Sequence, residues 1–357
     1  LLRPAFAIAR PAATARRAAG QLARVLVAMG LTDPDNATGL VLQGIFDSRL
    51  PLQVDVVLGA AAPHRAAVAT MVQQMGARAA LHIGSGNLAG LMSEADLAFG
   101  AAGTSAWERC ALGLPTALLV LAENQQQVAK ALLAAGAAVA LGSPGEATPA
   151  AVVETLRRFK AEPRALVHLA TRAAAVCDGR GGQRLLMALA PSETRDGQAI
   201  ELRPATWADS ALMLEWQSTL EARRFSRITK VPTQVEHEAW LAAKLVDPGC
   251  LLSLVMLDGL PVGVLRLDRC DARSFEVSIL IAPAWHGRGI GKAALAAARR
   301  LVPDSAIIAE VLAGNRPSHQ LFRAAGFRSM TEDLYFADPL TPAVTVGTAA
   351  QARGRQA

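Results

Sequence analysis

The stretch Glu276 to Leu295, E-V-S-I-L-I-A-P-A-W-H-G-R-G-I-G-K-A-A-L, decides how the chain reads. Val277, Ile279 and Ile281 recur at every second position, the period of a half-buried strand. Pro283 ends that strand, because proline cannot donate to a ladder. His286-Gly287-Arg288-Gly289-Ile290-Gly291 follows, and an alanine- and leucine-rich helix then runs to Leu301. A glycine-rich turn therefore joins a strand to a helix N-terminus. Glycines admit φ > 0 and let the backbone approach a ligand closely. The first N–H groups of a helix lack intrahelical partners and sit at its positive end, so the turn suits a pyrophosphate. Arg288 adds a full charge. Glycine turns before helices also arise for steric reasons alone, so the downstream order matters.

That order is a second strand over 305–312, then Gly314-Asn315-Arg316-Pro317-Ser318, Leu321-Phe322 and Gly326-Phe327. Taken together, these pieces over about 199–337 resemble the GNAT N-acetyltransferases, whose signature is [QR]-x-x-G-x-[GA] after a central strand, then an Asn-containing turn, a helix and G-F. The resemblance implies attack of a neutral amine on the thioester of acetyl-CoA. It implies that main-chain amides of Gly287, Arg288, Gly289, Ile290, Gly291 and Lys292 hold the cofactor pyrophosphate. The backbone of the strand at Ile279 and Ile281 would face the pantetheine arm, and Asn315 would bind cofactor or order a water. Glu276 is the first candidate general base and Glu310, one strand over, the second. A carboxylate in that role must have a raised pKa or work through a water. The other role open to Glu276 is a cross-strand ion pair. His286 stands in place of the usual Gln or Arg. Phe322 stands where many of these enzymes have a Tyr that protonates the leaving thiolate, so the acid is unassigned. Tyr335, the chain's only tyrosine, reads as packing. The acceptor region resembles that of RimJ/RimL-type acetyltransferases and contains Trp216, Arg223, Arg224, Phe225, Ser226, His237 and Trp240.

Upstream, Ile200 to Pro204 reads as the domain's first strand, followed by a helix over 207–217. Thr233 and Glu236 form a capping box for a helix to about 246. Two runs, 251–257 and 261–268, flank Asp258-Gly259 as a hairpin.

The first half alternates apolar strands with helices. Strands are expected over 24–30, 54–59, 78–83, 96–101, 115–121 and 137–141. Helices are expected over 37–49, 63–76, 87–95, 104–113, 124–136, 148–160, 163–177 and 182–190. Such alternation implies a parallel sheet with helices on both faces and ligands on the loops at the strands' carboxyl ends. Gly100-Ala101-Ala102-Gly103-Thr104-Ser105, opening a helix, is a second candidate phosphate cradle. Glu108 can accept from ribose hydroxyls or simply favour a helix N-terminus. Asn124 and Gln125 can read a base or sugar edge, with Asn124 equally suited to a plain N-cap.

With V-L-V-A-M-G-x-T-D-P-D-N at 25–36, V-D-V-V-L-G at 54–59, L-M-S-E-A-D-L-A at 91–98, the run at 100–115 and E-N-Q at 123–125, the first 190 residues resemble a second family. It is the UDP-sugar hydrolases of pseudaminic acid synthesis, which act on UDP-2,4-diacetamido-2,4,6-trideoxy-β-L-altropyranose, and the match is to their nucleotide-binding, C-terminal half of a GT-B fold. The resemblance implies UDP contacts from Gly30, Thr32, Gly103, Thr104, Ser105, Glu108, Asn124 and Gln125. Leu31 replaces that family's usual second glycine. The family's other half carries a glycine-rich loop with a catalytic His that has no counterpart here; His64 and His82 sit in other contexts. Hydrolysis is therefore expected to be lost or incomplete unless that half is supplied, in which case full hydrolase function is the alternative, and the chain, which opens at Leu1 without a Met, is read as a possible fragment.

The fold class expected is thus α/β, a Rossmann-like GT-B C-terminal half followed by a GNAT α/β domain. The domains are 1–190, a polar linker at 191–199, the acetyltransferase at 200–338 and a small, polar, basic tail at 339–357 expected to be disordered. With 357 residues, 52% apolar and 18% charged, two ordinary folded domains are accommodated. Four scattered cysteines without C-x-x-C argue against a metal site and fit a reducing cytoplasm. A net charge of +6, unclustered, with 4% aromatics, suits phosphate-bearing small ligands and not a nucleic-acid surface. No uncharged apolar run reaches the ~18 residues a membrane span needs, so no membrane partner is expected. The expected partners are acetyl-CoA and a UDP-linked amino sugar acetylated on its 4-amino group. A protein N-terminus or another amine is the alternative acceptor, and a non-catalytic UDP-binding module the alternative function.

Overall fold

Val25, Leu26 and Val27 are wholly buried, as an apolar run bounded by glycine predicts. Together with Arg24 and Ala28 they make the first strand in a computed structural model that describes residues 1–84 and 86–341. The chain divides into two compact units. One comprises Leu1–Leu186, Pro204–Ser218 and Val231–Leu252; the other comprises Met187–Arg203, Thr219–Lys230 and the chain from Ser253 onward.

The first unit holds strands β1 (Arg24–Ala28), β2 (Gln53–Leu58), β3 (Ala79–Ile83), β4 (Leu97–Ala101), β5 (Thr116–Leu119) and β6 (Val139–Gly142). Its helices include α1 (Pro4–Arg17), α2 (Ala37–Ser48), α3 (Arg65–Gln74), α4 (Leu88–Glu94), α5 (Ser105–Ala111), α6 (Gln126–Ala134), α7 (Pro149–Ala161), α8 (Pro163–Val176) and, as far as Leu186, α9 (Gly181–Leu189). Every pairing in the sheet is parallel, and the order is β3-β2-β1-β4-β5-β6. Alternate residues of β1 enter two different cores. Val25 and Val27 pack with Val41, Ile45, Val68 and Val152, while Leu26 and Ala28 pack with Phe6, Leu91 and Met92. The sheet is thus covered on both faces. Its order reverses between β1 and β4, which places a crevice at the carboxyl ends of those strands.

The helix α1 has no counterpart in the sequence reading. Its pattern carries Pro11 inside the helix and basic residues where a core would be apolar. What holds it is tertiary. Arg10 and Arg17 are buried, and their guanidinium groups donate to main-chain carbonyls near the ends of other helices. Arg10 reaches Ala111 at 2.6 Å and Ala174 at 2.7 Å; Arg17 reaches Leu112 at 2.5 Å, Ala95 at 2.9 Å and Met92. Helix C-termini carry the negative end of the dipole, so a buried cation is at home there.

The second unit is built on a sheet of β7 (Ser192–Glu193), β8 (Ala199–Pro204), β9 (Cys250–Leu257), β10 (Leu260–Asp271), β11 (Ser274–Ile281), β12 (Ala306–Glu310), β13 (Arg328–Ser329) and β14 (Leu334–Ala337). Its order is β13-β14-β12-β11-β10-β9-β8-β7. The remaining helices are α10 (Ser210–Gln217), α11 (Leu220–Arg224), α12 (Gln234–Val246), α13 (Ile290–Leu301) and α14 (Arg316–Ala324), of which α10 and α12 belong to the first unit. The capping box at Thr233 and Glu236 is present on α12. Asp258 and Gly259 both have positive φ, 48° and 80°, the type I′ geometry that a two-residue hairpin needs. Residues 191–199, expected to be a linker, instead form a hairpin. Ser192 pairs with Ile200 and Glu193 with Ala199, closed by a turn in which Thr194 N donates to the Gln198 carbonyl at 2.9 Å. A short polar strand at a sheet edge leaves no apolar period to read. Of the expected tail, residues 342–357 lie outside the described residues.

Candidate functional site

Phe275 and Val277 of β11 are buried, while Glu276 and Ser278 turn to the opposite face. The strand pairs along its length with β10, from Arg269↔Phe275 to Gly263↔Ile281. With β12 it pairs in parallel only from Ser274↔Ala306 to Glu276↔Ile308. Beyond Glu276 the two strands part, although β11 runs on to Ile281 and β12 to Glu310. Ala282 N donates to Val262 on the β10 side at 2.9 Å. By strand alternation, the main-chain groups of Ile279 and Ile281 therefore point to the side that β12 has left. The result is a fork whose β11 edge is open to an extended ligand.

The chain then passes through a 3₁₀ turn at Pro283–Trp285 to the glycine turn. Gly287 and Gly289 both have φ of 79°, a conformation costly for any side-chain-bearing residue. Among the described residues, the N–H groups of Gly287, Arg288, Gly289, Ile290, Gly291 and Lys292 meet no acceptor. Gly289 is the N-cap of α13 and supplies no side chain to satisfy them. Residues 287–289 are exposed. Six consecutive donors are thus left without an internal acceptor at the positive end of a 12-residue helix. Arg288 lies over the Trp285 ring at 4.9 Å. The His286 ring donates from Nε2 to the Ile281 carbonyl at 2.8 Å, which ties the turn back to the strand.

At the point where the strands part stand Glu276 and Glu310. The Arg227 side chain bridges them: Nη2 donates to Glu276 Oε1 and to Glu310 Oε2, each at 2.5 Å. The two carboxylates raise the Arg227 pKa further above its ordinary value, Glu276 contributing most through its hydrogen bond. Arg227 comes from the irregular segment after α11, and Arg223 steadies that segment by donating to the carbonyls of Ile228 at 3.2 Å and Lys230 at 3.3 Å. Of the other residues expected around an acceptor, Arg224 lies over Phe225 at 5.2 Å and Ser226 donates to the Ala222 carbonyl at 2.6 Å. Trp216, His237 and Trp240 sit in segments of the first unit.

Asn315 caps α14, its Oδ1 accepting from Ser318 N at 3.2 Å. Phe322 is buried between Phe327 at 5.2 Å and Tyr335 at 5.8 Å between ring centroids. Tyr335 is wholly buried, and its hydroxyl is hydrogen-bonded to His319 Nδ1 at 2.9 Å.

In the first unit, the two cradles that the sequence suggests differ. After β1, Gly30 has φ 116° and open space around it. The donors at the start of α2 are taken, however. Buried Asp33 accepts from Ala37 N and Thr38 N, both at 2.9 Å, and Asn36 accepts from Gly39 N at 3.2 Å. Thr32 and Leu31 are exposed. After β4, the N–H groups of Gly103, Thr104 and Ser105 meet no acceptor among the described residues. Gln125, whose Oε1 accepts from Leu121 N at 3.0 Å, brings its amide beside Gly103. Asn124 is exposed and is not an N-cap; Ala122 holds that position. Glu108 pairs with Arg3 at 3.6 Å, and burial pushes its pKa up while Arg3 pulls it down. Beneath this loop lies Arg109, fully buried, donating to Ser105 Oγ at 3.0 Å and to the Ala101 carbonyl at 2.6 Å. Burial lowers its pKa to about 10.

Residues 199–328 match the family model described as acetyltransferase (GNAT) domain. This part of the chain is a GNAT acetyltransferase domain. The chain is also 33% identical over 153 residues to the spore coat polysaccharide biosynthesis protein SpsG of Bacillus subtilis strain 168, a match covering 42% of this chain and 43% of that protein. It thus spans less than half the length of that relative. Among solved structures, similarity extends to a domain from Methanocaldococcus jannaschii, 21% identical with a TM-score of 0.36, covering 39% of this chain and 98% of that one. An acetyltransferase from Thermus thermophilus is 24% identical with a TM-score of 0.34, covering 38% and 94%. Mycobacterium smegmatis RimJ in complex with CoA-disulfide is 22% identical with a TM-score of 0.35, covering 41% and 83%.

In the GNAT domain the fold brings together Glu276, Glu310, Ile279, Ile281 and the 287–292 turn around one fork. Asn315 is occupied as a helix cap. The sequence reading missed Arg227, which lies one residue beyond the acceptor residues it named and has no periodic signal to single it out. It also gave Arg109 no role. The glycine inside β4 was the available signal, because a Cβ on Gly100 would come within 2.6 Å of Arg109 Nη1.

Proposed function

We propose that the GNAT domain transfers an acetyl group to the amine of a nucleotide-linked amino sugar, with acetyl-CoA as cosubstrate, and that the first unit is a separate nucleotide-binding module. The observation that carries this reading is the row of six main-chain donors at residues 287–292 that meet no acceptor among the described residues, beside a strand edge left open at Ile279 and at the Ile281 N–H. A paired phosphate is the ligand such a row suits, and an extended amide-bearing arm is what a free strand edge suits. Acetyl-CoA supplies an acyl group already activated as a thioester.

The residues at the fork then do the rest. Glu276 and Glu310 attract the protonated amine and accept its proton, directly or through a water, so that the neutral amine attacks. Phe322 has no proton to give, and the Tyr335 hydroxyl is buried against His319, so the thiolate takes its proton from solvent. The sugar class of the acceptor, with the 4-amino group of a UDP-linked sugar as its finest form, draws on two supports. One is the similarity to a protein of spore coat polysaccharide biosynthesis. The other is the parallel sheet of the first unit, whose open donors at Gly103–Ser105 lie at the carboxyl end of β4 beside the reversal of strand order.

Release of free thiol from acetyl-CoA, measured with a UDP-4-amino sugar and with a peptide bearing a free N-terminus, tests the reading. Faster release with the sugar nucleotide is expected. Preference for the peptide would reassign the acceptor, and no release with any amine would leave a nucleotide-binding module. UDP appearing at an enzyme's rate would give the first unit a hydrolytic role instead.

A further inference from the structure

We propose that Arg227 occupies the position of the acceptor's ammonium group, and that the acceptor must displace it to react. This rests on the acetyltransferase reading above and adds a specificity-determining residue to it. The geometry is that of a substrate mimic. One nitrogen of Arg227 donates to a carboxylate oxygen of Glu276 and to one of Glu310 at once, each at 2.5 Å. A protonated primary amine carries three donors on one nitrogen and can make the same two bonds. The bridge stands where β11 and β12 separate, next to the open edge at Ile279. An amine bonded there is beside the part of the strand that is free to hold an extended acyl carrier.

Arg227 is also placed to leave. Its side chain is 60% exposed, and among the described residues the two carboxylates are its partners. It belongs to the irregular segment between α11 and α12, whose Ile228 is 71% exposed. The anchor provided by Arg223 reaches Ile228 and Lys230, on the far side of Arg227, so the guanidinium can swing away while the segment stays attached. Exposed ion pairs of this kind bind weakly and exchange readily.

Charge decides the consequence. Two carboxylates and one guanidinium leave a net charge of −1 at the fork; without Arg227 the charge is −2. A cationic acceptor then meets a stronger attraction and no competitor.

The test compares the full chain with Arg227→Gln and Arg227→Lys in steady-state thiol release, at saturating acetyl-CoA and varied UDP-4-amino sugar. In R227Q the KM for the amine is expected to fall by about five-fold. In R227K, which keeps the charge, KM returns toward that of the parent. Calorimetric binding of acetyl-CoA, measured alongside, shows that each variant has folded. If R227Q binds acetyl-CoA and turns over but its KM is unchanged or higher, Arg227 is not a competitor and the inference is overturned while the acetyltransferase reading stands. A parent chain that binds acetyl-CoA yet acetylates no amine overturns both.

Discussion

Two glycine-bearing turns in this molecule lead from a strand into a helix, and they have opposite electrostatic outcomes. After β1, residues 29–36 feed α2, and the helix donors are consumed internally by Asp33 and Asn36. After β11, residues 282–289 feed α13, and six donors in a row meet no acceptor among the described residues. The glycines alone do not separate the two cases, since Gly30, Gly287 and Gly289 all have positive φ. What separates them is whether a short acidic or amide side chain stands one to four residues ahead of the first helical N–H. Where it does, the helix end is a closed cap; where glycines, Arg288 and Ile290 stand instead, the end keeps donors of the kind that suit an anion.

The contrast can be broken most forcefully at Asp33. Asp33→Ala strands the N–H groups of Ala37 and Thr38, at a cost of about 1–3 kcal/mol for each donor left buried, and a melting temperature lowered by several degrees is expected in calorimetry. An unchanged melting temperature, accompanied by newly acquired phosphate binding, would show that the cap merely hides an anion site. Next in size is Gly289→Val. A β-branched residue at φ 79° costs about 1–2 kcal/mol, and acetyl-CoA binding by titration calorimetry should weaken about ten-fold. Full affinity in that variant would mean that the turn is not the phosphate cradle. Smallest is Arg288→Ala, whose exposed guanidinium lies over the Trp285 ring and adds charge at the turn. The expected loss of acetyl-CoA affinity is about two- to five-fold at low salt, shrinking as ionic strength rises. A loss that salt does not touch would mean that Arg288 acts through its contact with Trp285 and not through its charge.

Regular elements and their order were legible because burial imposes a period. The strands of the first unit were found within two residues at most ends, since each is a short, mostly apolar run between turn residues. The half-buried period of β11 and the Asp258-Gly259 hairpin were readable for the same reason. The α1 helix escaped because its buried residues include Arg10 and Arg17, whose place in the interior depends on carbonyls from distant helices. The hairpin at 192–200 escaped because its edge strand is two residues long. At the candidate site, Glu276 and Glu310 could be named from their strands, but the cation between them could not.

By itself, then, the sequence determined the alternation of elements, the position of the glycine turn and the residues able to carry charge beside it, because each is set by neighbours within a few positions. Only the tertiary structure decided which helix ends keep free donors, where β11 and β12 part, and that Arg227 bridges two carboxylates 49 and 83 residues away. Those outcomes depend on which groups meet through space, and a one-dimensional pattern does not encode the partner of a long, flexible, exposed side chain.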